Sequence, residues 1–366
     1  NEQLRRGGHF KEPWFSQKRD VLVPTLLDAA REHGLTTCSL SWPVSGGADY
    51  SMNMPMIVPY DYKGWAPERW LEHSATKNLM DRYFYKHGRY LMGADRSLDL
   101  FTMALALDIL EDYDQPDAML IKMCDLDSCR HTYGVNHPKV EEQLRKHDAE
   151  FGAVVESLRR KGTLEETNIV ILGDHGMTDV RDALLLNVLL RKQGFLKTDG
   201  KGNIVEFDAV AHSTGLGAYV ELGDPGDSEM KQKVWSYLKT LMEEPDIQLE
   251  YVMDSREAMR TFGLEGPFDF ILTSKLPIAF GEQAEGDDIW GSLCPGDHKI
   301  GAATHGGAPE REELTAFLAC GPDVRRRVTV DRRSMVDEAP TMARMLGFEM
   351  QKTDGRAIEE IITKRE

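Results

Sequence analysis

Five side chains of metal-ligand type stand at three places in the sequence. Asp127 and His131 are four residues apart in CDLDSCRHTYG, Asp174 and His175 are adjacent in ILGDHGM, and His305 lies in AATHGG. Carboxylates and neutral imidazoles are the donors that borderline or hard divalent ions such as Zn²⁺, Mn²⁺ and Co²⁺ accept. A lone Asp or His at the end of a strand is more often a cap or a loop residue. The conjunction carries the weight. Two of the groups follow successive predicted strands, and His305 sits between Thr304 and Gly306-Gly307, where glycine permits a close backbone approach.

The elements that must position these groups alternate between short apolar runs and longer helical patterns. That alternation predicts an α/β fold, with a mostly parallel central sheet flanked by helices. Residues 23–33 read as a helix ended by Gly34, and 36–42 as the strand that follows. Leu98, Phe101, Leu105 and Ile109 fall near 3.6 spacing in a helix over 95–112, with Asp95 as its N-cap. A buried-type strand over 117–124, a helix over 140–160 and a strand over 168–172 come next, the last ending at Gly173-Asp174-His175-Gly176. A final strand over 314–320 precedes a helix from about Val336 to Leu346. Residues 43–93 lack a sustained period and read as a long excursion over one edge of the sheet. The resulting domain reading is a metal-binding core of 1–184 and 300–366. An insertion or cap with peripheral strands occupies 185–299, including a hairpin-like stretch over 215–227 and a strand over 268–273. In open α/β sheets the carboxyl ends of the strands converge on one crevice, so three groups far apart in sequence can meet.

Composition bounds the partners. The 366 residues accommodate one large domain or two, and 44 Lys+Arg against 61 Asp+Glu leave a net charge of −17. Such a field repels nucleic-acid polymers, while a small phosphate ester remains a suitable substrate because bound cations reverse the local sign. No stretch reaches the roughly 18 apolar residues of a membrane span. Cys38, Cys124, Cys129, Cys294 and Cys320 are scattered and odd in number. They point to reduced thiols and a cytoplasmic location, with a secreted or periplasmic one as the alternative if a signal peptide preceded Asn1. No oligomeric state follows from the sequence.

Other groups compete for attention. Asp125 is an alternative ligand to Asp127. His298 in GDHKIG and His212 in AHSTGLG are each open as ligand, substrate-side group or solvent-facing histidine. Gly215-Leu216-Gly217 fails the dinucleotide fingerprint because Val220 occupies the third glycine position. Cys129, beside His131, reads as a small packed thiol, and the 17 methionines as core and loop filler.

The motifs together resemble a family. WPVSGGA at 42–48, DLDSCRHTYG at 125–134, LGDHGM at 172–177 and THGG at 304–307, followed by LTAFLACGPDV, are similar to the alkaline phosphatase superfamily. Within it they resemble the type I phosphodiesterase/nucleotide pyrophosphatase branch. That resemblance favours Asp127 over Asp125. It implies that Asp127, His131 and His305 hold one zinc ion, and that Asp174 and His175 supply part of the site for a second. It also implies a further Asp and a nucleophilic Thr or Ser, both expected upstream of Asn1 together with a first strand. The implied function is zinc-dependent hydrolysis of phosphodiester or pyrophosphate bonds in small nucleotide-like substrates through a covalent Thr/Ser intermediate. The alternatives are a phosphomonoesterase or phosphonoacetate hydrolase of the same superfamily, and a catalytically silent metal-binding protein.

Overall fold

Four helix starts among the described residues are set by short polar side chains that accept from the first backbone N–H groups, at Thr25, Ser97, Asp227 and Asp254. Thr25 begins Leu26–Glu32 with a reciprocal pair: Asp28 N–H donates to Thr25 Oγ1 at 3.3 Å, and Thr25 N–H donates to the Asp28 carboxylate at 2.7 Å. Two backbone donors that the helix leaves orphaned are thereby satisfied. Ser97 caps Leu98–Asp112 by accepting from Leu100 N–H at 3.0 Å. The cap expected at Asp95 lies outside the described residues.

The computed structural model describes residues 15–58, 66–94, 96–275, 277–308 and 314–363. The chain divides into two compact units, the first containing Leu126–Leu144 and Gly173–Ala316, the second Phe10–Asp125, Arg145–Leu172 and Phe317–Glu366.

The second unit carries the parallel sheet. Thr37–Leu40 is its middle strand, with Met52–Met54 and Ala118–Ile121 on either side, both in parallel register. All four residues of the middle strand are buried, as a strand covered on both faces requires. Phe101, Leu105 and Ile109 of the Leu98–Asp112 helix join Leu40, Met54 and Tyr83 in one core cluster. The predicted 3.6-residue face is therefore the buried one. Ile169–Leu172 pairs antiparallel with Phe317–Cys320 in a two-stranded ladder. The 43–93 segment differs from its reading as an aperiodic excursion. It contains the Met52–Met54 strand, the helix Pro67–Leu71 and a run of helical turns from Lys77 to Leu91. These turns bury Leu79, Met80, Tyr83 and Phe84. Elements of three to five residues are too short to generate a recognisable period.

Asp99, 1% exposed, ties the second unit together. Its carboxylate accepts from the backbone N–H groups of Cys124 (2.6 Å) and Asp125 (3.0 Å) and from His147 Nε2 (2.8 Å). Asp125 in turn accepts from Ser97 Oγ at 2.6 Å. A buried carboxylate is tolerable only with such partners.

The first unit is built on a four-stranded antiparallel sheet in the order Leu249–Asp254, Phe270–Ser274, Gly217–Leu222, Ala209–Ser213. The amphipathic helix Ser228–Glu243, capped by Asp227 through the N–H groups of Glu229 and Met230, sends Val234, Leu238 and Leu241 into the same core as Val220, Phe270 and Leu272. Asp182–Leu185 pairs in parallel with Ile278–Gly281 and antiparallel with Trp290–Gly291. Among the described residues no helix is long and apolar enough to cross a membrane.

The Asp99–His147 contact yields a pH-dependent prediction. Burial opposes the His147 cation, but the hydrogen bond and charge of Asp99, with the charges of Glu150 and Asp125, outweigh it and raise the imidazole above its ordinary 6.5. A group raised in the folded state contributes stability that is fully present below about 6.5 and is lost as pH rises through its folded value. Removing a hydrogen bond to a charged group costs on the order of 1.5–3 kcal/mol. His147→Ala is therefore expected to lose about that much at pH 6 and less at pH 9, measured by denaturant unfolding of both proteins at each pH.

Candidate metal centre

The Asp125–Tyr133 helix sets Asp127 and His131 one turn apart on the same face, because residues i and i+4 are neighbours on a helix surface. Asp127 Oδ1 lies 3.4 Å from His131 Nε2. His131 is fully buried, and its Nδ1 is 2.8 Å from the carbonyl oxygen of Ala303. A carbonyl only accepts, so Nδ1 carries a proton, and in the neutral ring Nε2 is the nitrogen with the lone pair. The carbonyl of His131 itself accepts from the N–H groups of Gly296 (3.1 Å) and Ala302 (2.8 Å). The helix and the 296–303 loop are thus bonded in both directions.

The same loop delivers His305. Ala303–Thr304 pairs antiparallel with Thr178–Asp179, three residues beyond His175, and Val180 N–H donates to Ala302 O at 2.9 Å. This short ladder brings two distant histidines face to face, with the rings of His175 and His305 stacked at 3.6 Å between centroids. His175 Nδ1 is 2.9 Å from Gly176 O, which by the same argument leaves Nε2 as the acceptor nitrogen. That Nε2 lies 3.9 Å from Asp127 Oδ1 and 3.8 Å from Asp174 Oδ1. His305 Nε2 lies 3.8 Å from Asp127 Oδ1.

One carboxylate oxygen therefore faces three imidazole nitrogens. Donor atoms of Asp127, His131 and His305 all lie within 4.8 Å of one another, and the 3.4 Å Asp127–His131 separation matches the edge of a tetrahedron with bonds of about 2 Å. Asp127 Oδ1 and His131 Nε2 are both buried and make no hydrogen bond. Leaving two buried polar atoms unsatisfied is costly. A divalent cation would satisfy both at once, so the donor set fits one.

The protonation states suit that role. Burial, reinforced by the neighbouring His175 and His131, lowers His305 to about 4 despite Asp127 and Asp174, so the ring is neutral at pH 7. Burial works to raise Asp127, but His131, His305 and His175 outweigh it and hold the carboxyl below its ordinary value. An ionised carboxylate and neutral imidazoles are the forms that bind metal.

Of the residues singled out in the sequence, Asp127, His131, His305, Asp174 and His175 come together in the first unit. His298, left open there, joins them. Its Nδ1 is 3.8 Å from Asp127 Oδ2, and its ring meets His131 edge-on at 4.6 Å. Its side chain is 53% exposed, which places it at the rim. His212 lies in the antiparallel sheet, stacked on Tyr219 at 4.7 Å with Nε2 3.5 Å from Glu221. Asp125 is turned to Ser97 Oγ, whereas Asp127 is the carboxylate facing the imidazoles. Cys129 is a half-buried thiol, and none of the five cysteines forms a disulfide. The Ala303 and Gly176 carbonyls that orient the rings had no signal in the sequence, since every residue carries one.

A family model described as type I phosphodiesterase/nucleotide pyrophosphatase matches residues 2–260. An uncharacterized pyrophosphatase/phosphodiesterase of Schizosaccharomyces pombe is 24% identical over 133 residues, 36% of this chain and 25% of that protein. Ectonucleotide pyrophosphatase/phosphodiesterase family member 3 of Bos taurus is 35% identical over 78 residues, 21% of this chain and 9% of that protein. The matches thus span a quarter or less of these curated relatives. Among solved structures, murine ectonucleotide pyrophosphatase/phosphodiesterase 5 superposes with a TM-score of 0.59 at 15% identity, covering 91% of this chain and 73% of that one. The human counterpart gives 0.59 at 15%, covering 92% and 74%. These likenesses establish the alkaline phosphatase-like α/β fold.

The geometry makes metal binding measurable as stability. Zn²⁺ at about 100 times its Kd is expected to stabilise the native state by about 2.7 kcal/mol. Asp127→Ala and His305→Ala should each remove most of that increment, read as the shift in the denaturant midpoint with and without the ion. An undiminished shift in both variants would place the ion elsewhere.

Proposed function

The chain belongs to the type I phosphodiesterase/nucleotide pyrophosphatase family, and from that premise we propose that it hydrolyses phosphodiester or pyrophosphate bonds in small nucleotide-like substrates with the help of divalent metal. The observation that carries the reading is Asp127 Oδ1 facing the Nε2 atoms of His131, His175 and His305 at 3.4–3.9 Å. In this reading Asp127, His131 and His305 hold one ion, and Asp174 and His175 contribute to a second. Zinc is the ion we propose, because imidazole-rich tetrahedral sites favour it. When bound, such a pair supplies Lewis-acid activation of the phosphoryl centre and of a hydroxyl nucleophile.

The chain's own residues prepare that chemistry. Ala303 O holds His131 Nδ1, which leaves Nε2 turned toward Asp127, and burial keeps His305 neutral at pH 7, so that ring need not lose a proton before it can ligate. The Asp127 carboxylate supplies anionic charge at the centre. His298, at the rim beside Asp127, stands where a substrate oxygen or leaving group would arrive. A Thr or Ser hydroxyl is the nucleophile in this reading, attacking phosphorus and expelling the leaving group. Water then releases the product from the covalent ester.

Substrate class decides between this reading and hydrolysis of a monoester or phosphonate. With zinc supplied to the full-length protein, kcat/KM for bis(p-nitrophenyl) phosphate should exceed that for p-nitrophenyl phosphate by about tenfold or more, equivalent to about 1.4 kcal/mol of transition-state preference. A preference for the monoester, or turnover of phosphonoacetate alone, would favour the related enzymes. Tight zinc binding by the full-length protein without turnover of any of these would indicate a silent metal-binding protein.

A further inference from the structure

The Gly215-Leu216-Gly217 sequence, which fails as a nucleotide-binding fingerprint, occupies the turn between the strands Ala209–Ser213 and Gly217–Leu222. That turn lies directly against the backbone of His305. Leu216 N–H donates to His305 O at 3.0 Å, and Thr214 Oγ1 donates to Gly306 O at 3.2 Å. A Cβ added at Gly215 would stand 2.2 Å from His305 O and 2.8 Å from Thr304 Oγ1, and one at Gly306 would stand 2.2 Å from Thr214 O. Gly215 has φ +102 and Gly306 φ +89, conformations that L side chains avoid. Two backbones are therefore in contact with no side chain between them.

The turn is also anchored from behind. Ser213 Oγ donates to Phe280 O at 2.6 Å, Gly215 N–H donates to Ser213 Oγ at 3.0 Å, and Phe280 N–H donates to Gly215 O at 2.8 Å. Leu216 is 1% exposed. The turn, anchored in this way, thus bonds to the carbonyl oxygens of His305 and Gly306, the two that follow the His305 α-carbon.

We propose that the Thr214–Gly217 turn is a positioning element for His305, setting the ring where it can share an ion with Asp127 and His131. The inference rests on the reading of His305 as a metal ligand. Groups that orient ligands rather than bind metal typically change metal affinity by about 10- to 100-fold when altered. A turn that served stability alone would leave the affinity of the folded protein unchanged.

The test is a double-mutant cycle on zinc affinity of the full chain, measured by competition with a chromophoric chelator, with apo-protein folding checked by circular dichroism. Gly215→Ala is expected to weaken zinc binding about 10- to 100-fold in the otherwise native protein. It should change affinity less than about twofold in a His305→Ala background, because the interaction it perturbs is then already lost. An equal loss in both backgrounds, or none in either, would overturn the proposal. If Gly215→Ala fails to fold, Thr214→Val, at an exposed position, runs the same cycle. It should lose about fivefold, the worth of one hydrogen bond, only where His305 is present. Should His305→Ala bind zinc as tightly as the native chain, the metal-centre reading fails and this proposal falls with it. Native-like affinity in Gly215→Ala, with His305→Ala impaired, sinks the positioning role alone.

Discussion

Placing one buried carboxylate oxygen among imidazoles is the constraint around which the candidate site is organised. Asp127 Oδ1 and His131 Nε2 are both shut off from solvent without a hydrogen bond. An ionised group in that state is costly unless a charge of opposite sign compensates it. The histidines do so only partly, since His305 is held neutral near pH 7 by burial. A divalent ion is the partner that would let the carboxylate keep its charge and the rings keep their lone pairs. The pocket therefore makes physical sense as a metal centre and poor sense as a simple polar core.

Most of the geometry is enforced by backbone rather than by side chains. Ala303 O and Gly176 O orient two imidazoles, and a two-residue ladder, Thr178–Asp179 with Ala303–Thr304, places the third beside them. Glycines at 215 and 306 let a turn and the His305 loop touch at backbone distance. Backbone donors and acceptors have few degrees of freedom once their strands are packed, so imidazole directions set this way are stiff. A charge network built from long side chains would have to immobilise each of them at an entropic cost.

Electrostatics at long range and at short range act in opposite senses. A net charge of −17 disfavours an approaching phosphate anion, while cations bound among Asp127, Asp174 and the histidines would create a local positive field. In the proposed function, that contrast would favour a small substrate. A polyanion samples the whole surface, whereas a single phosphate ester experiences mainly the pocket.

Several features were legible in the sequence because they are local. The i,i+4 step of Asp127 and His131 is helical geometry in miniature, and the apolar face of Leu98–Asp112 announces itself every 3.6 residues. The alternation of strands and helices gave the α/β class, and family resemblance selected Asp127 over Asp125. Other features were decided only by tertiary contact. The three-residue strand Met52–Met54 exists because Thr37–Leu40 offers it a parallel partner. His298 reaches Asp127 because the 296–303 loop is bonded to the carbonyl of a residue in a remote helix. Gly215 matters because a backbone ninety residues later lies against it. Local periodicity is written in neighbouring residues, but which carbonyl meets which imidazole depends on how whole strands pack. That arrangement is a property of the folded chain and not of any stretch within it.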